Sequence, residues 1–402
     1  MPTKTIKAVG LMSGTSADGI DAALVEIKDV GRGFSLALKI KLISFKKFPF
    51  PKDLRELIHK VSTPEYGRVD LVCRLNFLLG GLFAKAAIGV VKKAGYKIRD
   101  IDLIGSHGQT IYHMPEGNPP STLQIGEPSV IAERTGVTTV ADFRTMDIAA
   151  GGIGAPLTPF AHYILFKRKD KGIAVNNIGG ISNVTFIPPD GDINNVIAFD
   201  TGPGNMLIDS IVHIITKGRM GYDKGGRLAS RGRICEKLLD ELMEHPFIKK
   251  KPPKSTGREE FGYGEALKIY QSAKKYRLSD EDIIATVTKF TARTIAENYR
   301  RFILSRNNIS EIILCGGGAR NPILVDMIAK ELVPLKKGIK PIKVLTSDKY
   351  GFPPEAIESI AFALLGYAAL KGIPANLPQV TGAKKRVILG KIIGCSFSEL
   401  FS

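Results

Sequence analysis

The chain of 402 residues carries 57 Lys and Arg against 39 Asp and Glu, a formal net charge of +18. Its 44% hydrophobic and 24% charged residues are a globular make-up, which excludes an intrinsically disordered chain, and the length suits two or three domains with their own cores. The charge invites a nucleic-acid reading, but the cations are spread along the chain, aromatic residues are 7% and Trp is absent, so no element gathers the basic and aromatic groups that grip a nucleic-acid strand.

Residues 1–7 lead straight into strand character with no signal-peptide core, and no apolar run reads as approaching the roughly 18 residues that cross a bilayer. A soluble cytoplasmic protein with no membrane contact is expected. Strand character at 6–11, a turn rich in small polar residues, and strand character again at 20–27 read as a hairpin. Leu71, Leu75, Leu78, Leu82 and Ala86 recur at helical spacing within a helix over 69–94. A short buried strand at 103–105 leads into Ser106-His-Gly-Gln-Thr110, and the loop 149–156 holds Gly151-Gly-Ile-Gly-Ala-Pro156. A second strand–glycine–strand unit spans 173–187, and a strand at 195–199 is expected to end at Asp200. Ser279 with Asp282 three positions on is a capping box for a helix whose inner face is Ile283, Ile284, Val287, Phe290 and Ile295. Strand 311–315 enters Gly316-Gly-Gly-Ala-Arg-Asn321, with Pro322 opening the next helix. Two Lys-rich segments, 249–254 and 336–343, read as exposed loops, and a helix over 354–370 precedes a short tail. Cys73, Cys235, Cys315 and Cys395 form no C-x-x-C pair and no Cys/His cluster, so they read as small buried hydrophobes.

Mixed strands and helices place the chain in the α/β class, and the repeated hairpin suggests two related halves. Three glycine turns, 14–19, 179–183 and 316–321, could present backbone N–H groups to phosphate, although a glycine-rich turn taken alone is more often just a tight turn. No P-loop, dinucleotide-binding or nucleophile-elbow pattern occurs. Asp200, at the foot of a strand before Gly-Pro-Gly, suits a general base, a metal ligand or a turn-capping side chain. Asp18 and Asp21 suit solvated turns or water-mediated Mg²⁺ contacts. His107 suits a catalytic or a structural role, and Arg144 a substrate carboxylate or a salt bridge to Asp142 or Asp147.

Over nearly its whole length the chain resembles the anhydro-N-acetylmuramic acid kinases. The segments that carry the resemblance are Met12-Ser-Gly-Thr-Ser-Ala-Asp-Gly-Ile-Asp21, Ser106 to Thr110, Asp142-Phe-Arg144 with Asp147, and Gly151 to Pro156. Asn177-Ile-Gly-Gly-Ile-Ser-Asn183, Asp200-Thr-Gly-Pro-Gly-Asn205, Lys254-Ser-Thr-Gly-Arg-Glu259, Gly316 to Asn321, Glu358 to Ala363 and Thr381-Gly-Ala383 complete the set. The resemblance implies the two-domain sugar kinase/heat-shock-protein-70/actin-like (ribonuclease H-like) fold with a nucleotide cleft between domains. Residues 1–140 with 366–402 would form one α/β domain around the first hairpin, and residues 141–365 the other.

The resemblance further implies ATP and Mg²⁺, and an anionic amino sugar, 1,6-anhydro-N-acetylmuramic acid, that is opened by water and phosphorylated on O6. A homodimer is a candidate assembly. Asp200 would be the general base. Gly14, Thr15, Ser16, Ala17, Asp18, Gly19, Ile20 and Asp21 would hold phosphates, with Asp18 nearest the metal. Gly179, Gly180 and Asn183 would form the second phosphate turn, and Gly316, Gly317, Gly318 and Asn321 would lie near the nucleoside. His107, Arg144, Asp147, Gly202, Asn205 and Glu358 would contact the sugar. The family pattern has Gln where Ile153 stands and Leu where Ala17 stands. Another sugar kinase or phosphatase of the same fold is the nearest alternative, and an ATP-regulated nucleic-acid-binding protein a distant one.

Overall fold

A computed structural model of the chain describes residues 5–31, 37–189, 191–305, 307–333 and 341–394, so Cys395 and positions 336–340 of the second Lys-rich segment lie outside the described residues. Twelve strands are present among them: β1 (Thr5–Ser13), β2 (Gly19–Asp29), β3 (Leu38–Pro49), β4 (Leu103–Met114), β5 (Ser121–Ile125), β6 (Thr139–Ala141), β7 (Ile173–Ile178), β8 (Ile181–Ile187), β9 (Ile197–Pro203), β10 (Glu311–Cys315), β11 (Lys343–Thr346) and β12 (Lys391–Ile393). The chain divides into two compact units, Met1–Phe166 with Ala356–Ser402, and Lys167–Glu355.

In the first unit the strands run in the order β12-β6-β4-β1-β2-β3, with β5 added antiparallel beside β4. β1, β2 and β3 form an antiparallel meander, and β4 and β6 continue the sheet in parallel on the other side of β1. The second unit repeats the scheme as β11-β10-β7-β8-β9: an antiparallel meander from β7 to β9, then β10 and β11 parallel beyond β7. Three meandering strands followed by two parallel ones, occurring twice, is the ribonuclease H-like arrangement of the sugar kinase/heat-shock-protein-70/actin superfamily. Each glycine hairpin read from the sequence joins the first two strands of its sheet.

The Val69–Lys93 helix lays Leu75, Leu79, Phe83, Ala86 and Val90 into the first core. By length and composition it could cross a membrane, contrary to the sequence expectation, and its apolar residues instead supply that core. A second helix, Ile357–Leu370, is buried along nearly all its length and packs on β1 and β4. Its backbone touches the sheet at two glycines: a Cβ on Gly10 would stand 1.7 Å from the Ser359 carbonyl oxygen, and one on Gly105 2.0 Å from that of Phe362. This packing explains why residues 356–365 belong with the first unit and not the second. Residues 141–166 also lie with the first unit, because the Thr158–Phe166 helix packs against the same Ile357–Leu370 helix.

In the second unit the Asp280–Tyr299 helix begins at the expected capping box, with Ser279 Oγ accepting from Asp282 N–H at 3.1 Å. Its expected inner face is buried. Four local readings change. Cys73 is exposed and Cys235 only half-buried, so neither is the buried hydrophobe expected. The 106–110 motif lies inside β4 because the strand continues to Met114, and Asp200 lies inside β9, which runs on to Pro203. Lys254 is 6% exposed, not a solvated loop lysine.

Gly105→Ala places a methyl group on a backbone carbonyl and should cost at least about 3 kcal/mol. Gly95→Ala meets nothing within 4 Å at φ +79 and should cost about 1 kcal/mol through the left-handed backbone alone. Thermal denaturation of the two variants compares them directly, and equal melting temperatures would contradict the close helix–sheet approach.

Candidate active site

The first hairpin turn is a braced loop. Ala17 N–H donates to the Gly14 carbonyl at 3.0 Å, and Ala17 takes a left-handed φ of 51° while fully buried. Ser13 Oγ donates to Gly19 O at 2.9 Å or to Gln109 Oε1 at 2.6 Å, and Gln109 Nε2 donates to Gly14 O at 3.1 Å. One buried serine–glutamine pair thus ties both ends of the turn to β4. A Cβ on Gly14 would find only Ser16 Oγ, at 4.0 Å, so the turn keeps an open face of the kind that accommodates a phosphate. Asp18 is exposed and paired with Arg55 at 2.8 Å, while Asp21 faces Lys47 at 3.5 Å. Ile20 is buried, so only its backbone could serve a ligand.

Around β4 a second cluster forms. His107 is buried, its Nδ1–H donating to Gly108 O at 2.9 Å, which leaves Nε2 to accept from Arg144 Nε at 3.1 Å. Burial first, and the Arg144 charge second, hold His107 down to about 3, so it is a neutral acceptor and no general acid. Arg144 Nη1 donates to Gly154 O at 2.9 Å; burial pulls the guanidinium down to about 10, and the Glu358 carboxylate nearby works against that. The alternative pairings of Arg144 do not occur: Asp142 pairs with Lys391, and Asp147 has other donors.

Asp147 is fully buried, with Oδ2 accepting from Gly154 N–H at 2.8 Å and Oδ1 from Asn376 Nδ2 and Thr381 Oγ1 at 2.9 and 2.8 Å. It therefore fastens the 149–156 loop to the C-terminal segment. Ile153 N–H donates to Thr381 O at 2.9 Å, a backbone bond that does not depend on the side chain at that position. His113, further along β4, is exposed, and its Nδ1 lies 3.0 Å from Thr122 Oγ1.

The second unit gathers its own group. At the β7–β8 turn, Gly180 O accepts from the N–H groups of Gly204 and Met206 at 2.9 and 3.1 Å, and Gly179 O from Asn205 N–H at 2.8 Å. The start of the Asn205–Ile215 helix is thereby docked on the glycine turn. The 316–318 loop lies against the same residues, since a Cβ on Gly317 would be 3.7 Å from Asn205 Nδ2. Gly179, Gly180, Asn205 and Gly316 to Gly318 are therefore brought together. Asn321 caps the Pro322–Glu331 helix, its Oδ1 accepting from Ile323 and Leu324 N–H groups at 3.1 and 3.2 Å.

Asp200 pairs with Asn183 across the β8–β9 ladder at an irregularity, where Ser182 pairs with Gly202 and Thr201 is the extra residue. Thr201 Oγ1 bonds Ser182, and Asn298 Nδ2 donates to Thr201 O at 2.8 Å, so the bulge is held from both sides. Gly202 has φ +133, a conformation that only glycine adopts readily, and it is buried, so its role is backbone shape. The Asp200 carboxylate accepts from Thr256 N–H at 3.0 Å. Burial pushes it up to about 7, with Glu259 adding to the rise and Thr256 and Lys254 opposing it. A carboxylate that titrates near neutrality and is only partly covered has the properties of a general base.

A family model described as "Anhydro-N-acetylmuramic acid kinase" matches residues 6–394. Relatives bearing that same name include one from Caldanaerobacter subterraneus subsp. tengcongensis, 49% identical over 390 residues, covering 96% of both chains. Another, from Clostridioides difficile, is 46% identical over 391 residues, 96% of this chain and 97% of its own. A third, from Bacillus cereus strain AH820, is 47% identical over 388 residues, covering 95% and 98%.

Asp147→Asn would set an amide NH₂ against one of three donors and should lower stability by about 1–3 kcal/mol. Chemical denaturation checks this, and native-like stability would contradict the fastening role.

Proposed function

The chain belongs to the anhydro-N-acetylmuramic acid kinase family and is a sugar kinase, and we propose that Asp200 is the base that makes its two reactions one. Its substrates are 1,6-anhydro-N-acetylmuramic acid and ATP, and its products N-acetylmuramic acid 6-phosphate and ADP. In the proposed step a water oxygen forms a bond to C1 as Asp200 accepts the water proton. The C1–O6 bond breaks, and O6 takes the γ-phosphoryl group as the bond to ADP breaks. The proton on Asp200 then leaves to solvent. The observation that carries the reading is the Asp200 carboxylate itself, held by one backbone N–H and shifted to about 7 at the bulge of β9.

The remaining roles follow the chemistry of each group. The open backbone faces at Gly14, Gly179 and Gly317 suit phosphate and nucleotide contacts, with N–H groups as donors. Arg144, aimed by neutral His107 and balanced by Glu358, suits the lactyl carboxylate through its fork of donors. Asp147, Gly202 and Asn321 shape the backbone instead of touching ligand. Among the described residues no three His, Cys, Asp or Glu side chains cluster as a metal cage. The exposed Asp18 carboxylate, exchanging its Arg55 partner, is a donor of the kind Mg²⁺ uses, since that ion takes most of its ligands from phosphates and waters and needs one or two carboxylates. Asp18 would hold it, and Mg²⁺, when bound, neutralises charge developing on the phosphates. In this reading the protein works in the cytoplasm, returning cell-wall sugar to metabolism.

Purified protein with Mg-ATP and the anhydro sugar should release ADP and a reducing 6-phospho sugar, measured by coupled ADP detection and reducing-end assay. Asp200→Asn should fold and bind ATP yet lose turnover by a factor of about one hundred or more; near-native turnover would remove Asp200 as the base. A carboxyl raised to about 7 is protonated, and so inactive as a base, below that pH. The rate should therefore climb through an acid limb centred near pH 7, and a flat profile down to pH 5 would contradict it.

A further inference from the structure

One motif is only partly absorbed by the roles above: Lys254-Ser-Thr-Gly-Arg-Glu259. β9 is the edge strand of the second sheet, and residues 254–256 lie along it. Asp200 N–H donates to Lys254 O at 3.1 Å, and Thr256 N–H returns to Asp200 Oδ2 at 3.0 Å. The same short segment thus holds the backbone and the side chain of the base. What holds the segment is the Lys254 side chain. Its Nζ donates to Phe247 O at 3.1 Å and lies over three rings, 4.6 Å from Phe247, 5.1 Å from Phe302 and 5.9 Å from Phe199.

Phe199 immediately precedes the base, and Phe302 stands on the π-helical turn Arg300–Leu304 that ends the long Asp280–Tyr299 helix. The two rings meet edge to face at 5.9 Å. Burying an ammonium is costly unless its donors and charge are met. One carbonyl and three rings meet it only in part; Asp200 forms no direct ion pair with it, but its charge also favours the protonated lysine.

We propose that Lys254 is the positioning residue for Asp200, anchoring residues 254–256 so that their backbone grips the carboxylate and supplying the cation that favours its ionised form. The proposal deepens the reading of Asp200 as base and rests on it. The charged groups facing the pair are Glu259 and Glu260 on the C-terminal side of the segment, Lys250 before it and Arg301 on the π turn. Burial first, then Arg301, pulls Lys254 down to about 8, with Asp200 acting in the other direction. The base must be ionised and the lysine protonated for the arrangement to work, which sets an activity window with an acid limb where Asp200 takes a proton and an alkaline limb where Lys254 loses one. The sign is fixed by the charges: below the window Asp200 holds a proton, and above it Lys254 has lost one.

The test is the pH dependence of kcat in Lys254→Met and Lys254→Arg, each checked for an unchanged melting temperature. Methionine keeps the apolar stem but not the charge, so the acid limb should move up by about one unit, with KM for ATP unaltered. Arginine stays charged at every accessible pH, so it should restore the acid limb and abolish the fall above pH 8. A Lys254→Met acid limb at the wild-type position overturns the proposal. Should the methionine variant fail to fold, an alkaline fall retained in Lys254→Arg overturns it equally. Carboxyl-carbon NMR of labelled aspartates, with the Asp200 signal identified by its loss in Asp200→Asn, reads the same shift without turnover. That arm separates the two claims: a resonance that moves in Lys254→Met while Asp200→Asn remains active supports the coupling and refutes the base.

Discussion

In the proposed reaction the second unit has to keep one carboxylate, Asp200, dry enough to be basic and open enough to meet a reactant. A fully solvated aspartate titrates about three units below neutrality and takes protons poorly at pH 7. A fully buried one stays protonated. Asp200 sits between these limits: it is half-buried on the edge strand β9, next to the bulge at Thr201. The hydroxyl of Thr201, the amide of Asn298 and the glycine at 202 hold that irregularity in place. The amide of Thr256 then stops the carboxyl from rising further.

The two units solve the same structural problem with different means. Both have a hairpin whose glycine turn must stay open, and a bare turn of this kind is floppy. In the first unit side chains brace it, through Ser13 and Gln109. In the second unit the backbone does so, through the first N–H groups of the Asn205–Ile215 helix. The helix start thus satisfies turn carbonyls as it places Asn205 beside the 316–318 loop. Arg144 is positioned by a related device, a histidine kept neutral by burial so that it can accept a hydrogen bond instead of competing for charge.

Local pattern carried much of this. The hairpins, the Val69–Lys93 helix, the Ser279 cap and the strand before Gly316 follow from spacing and turn chemistry, and the motifs with their order pointed to the family. What local pattern could not show is which polar side chains are already engaged. Asp147 reads like a ligand contact, but its donors come from Asn376 and Thr381, more than two hundred positions away in the chain. Lys254 sits in a run of lysines and reads as solvated; only the fold brings Phe199, Phe247 and Phe302 around it. Polar motif residues after Gly105 and Phe199 look like strand ends in the sequence, yet both sheets accept them as strand. The +18 charge is similarly uninformative about the site, which uses few of the cations.

The central claim is that water attacks C1 and the sugar's own O6 becomes the phosphate acceptor. Turnover in heavy-oxygen water, quenched early and read by mass spectrometry of the phospho sugar, tests it most directly. The account predicts one labelled oxygen at C1 and none in the phosphate or its bridge to C6. Label found in the phosphate, or none at C1, would contradict it.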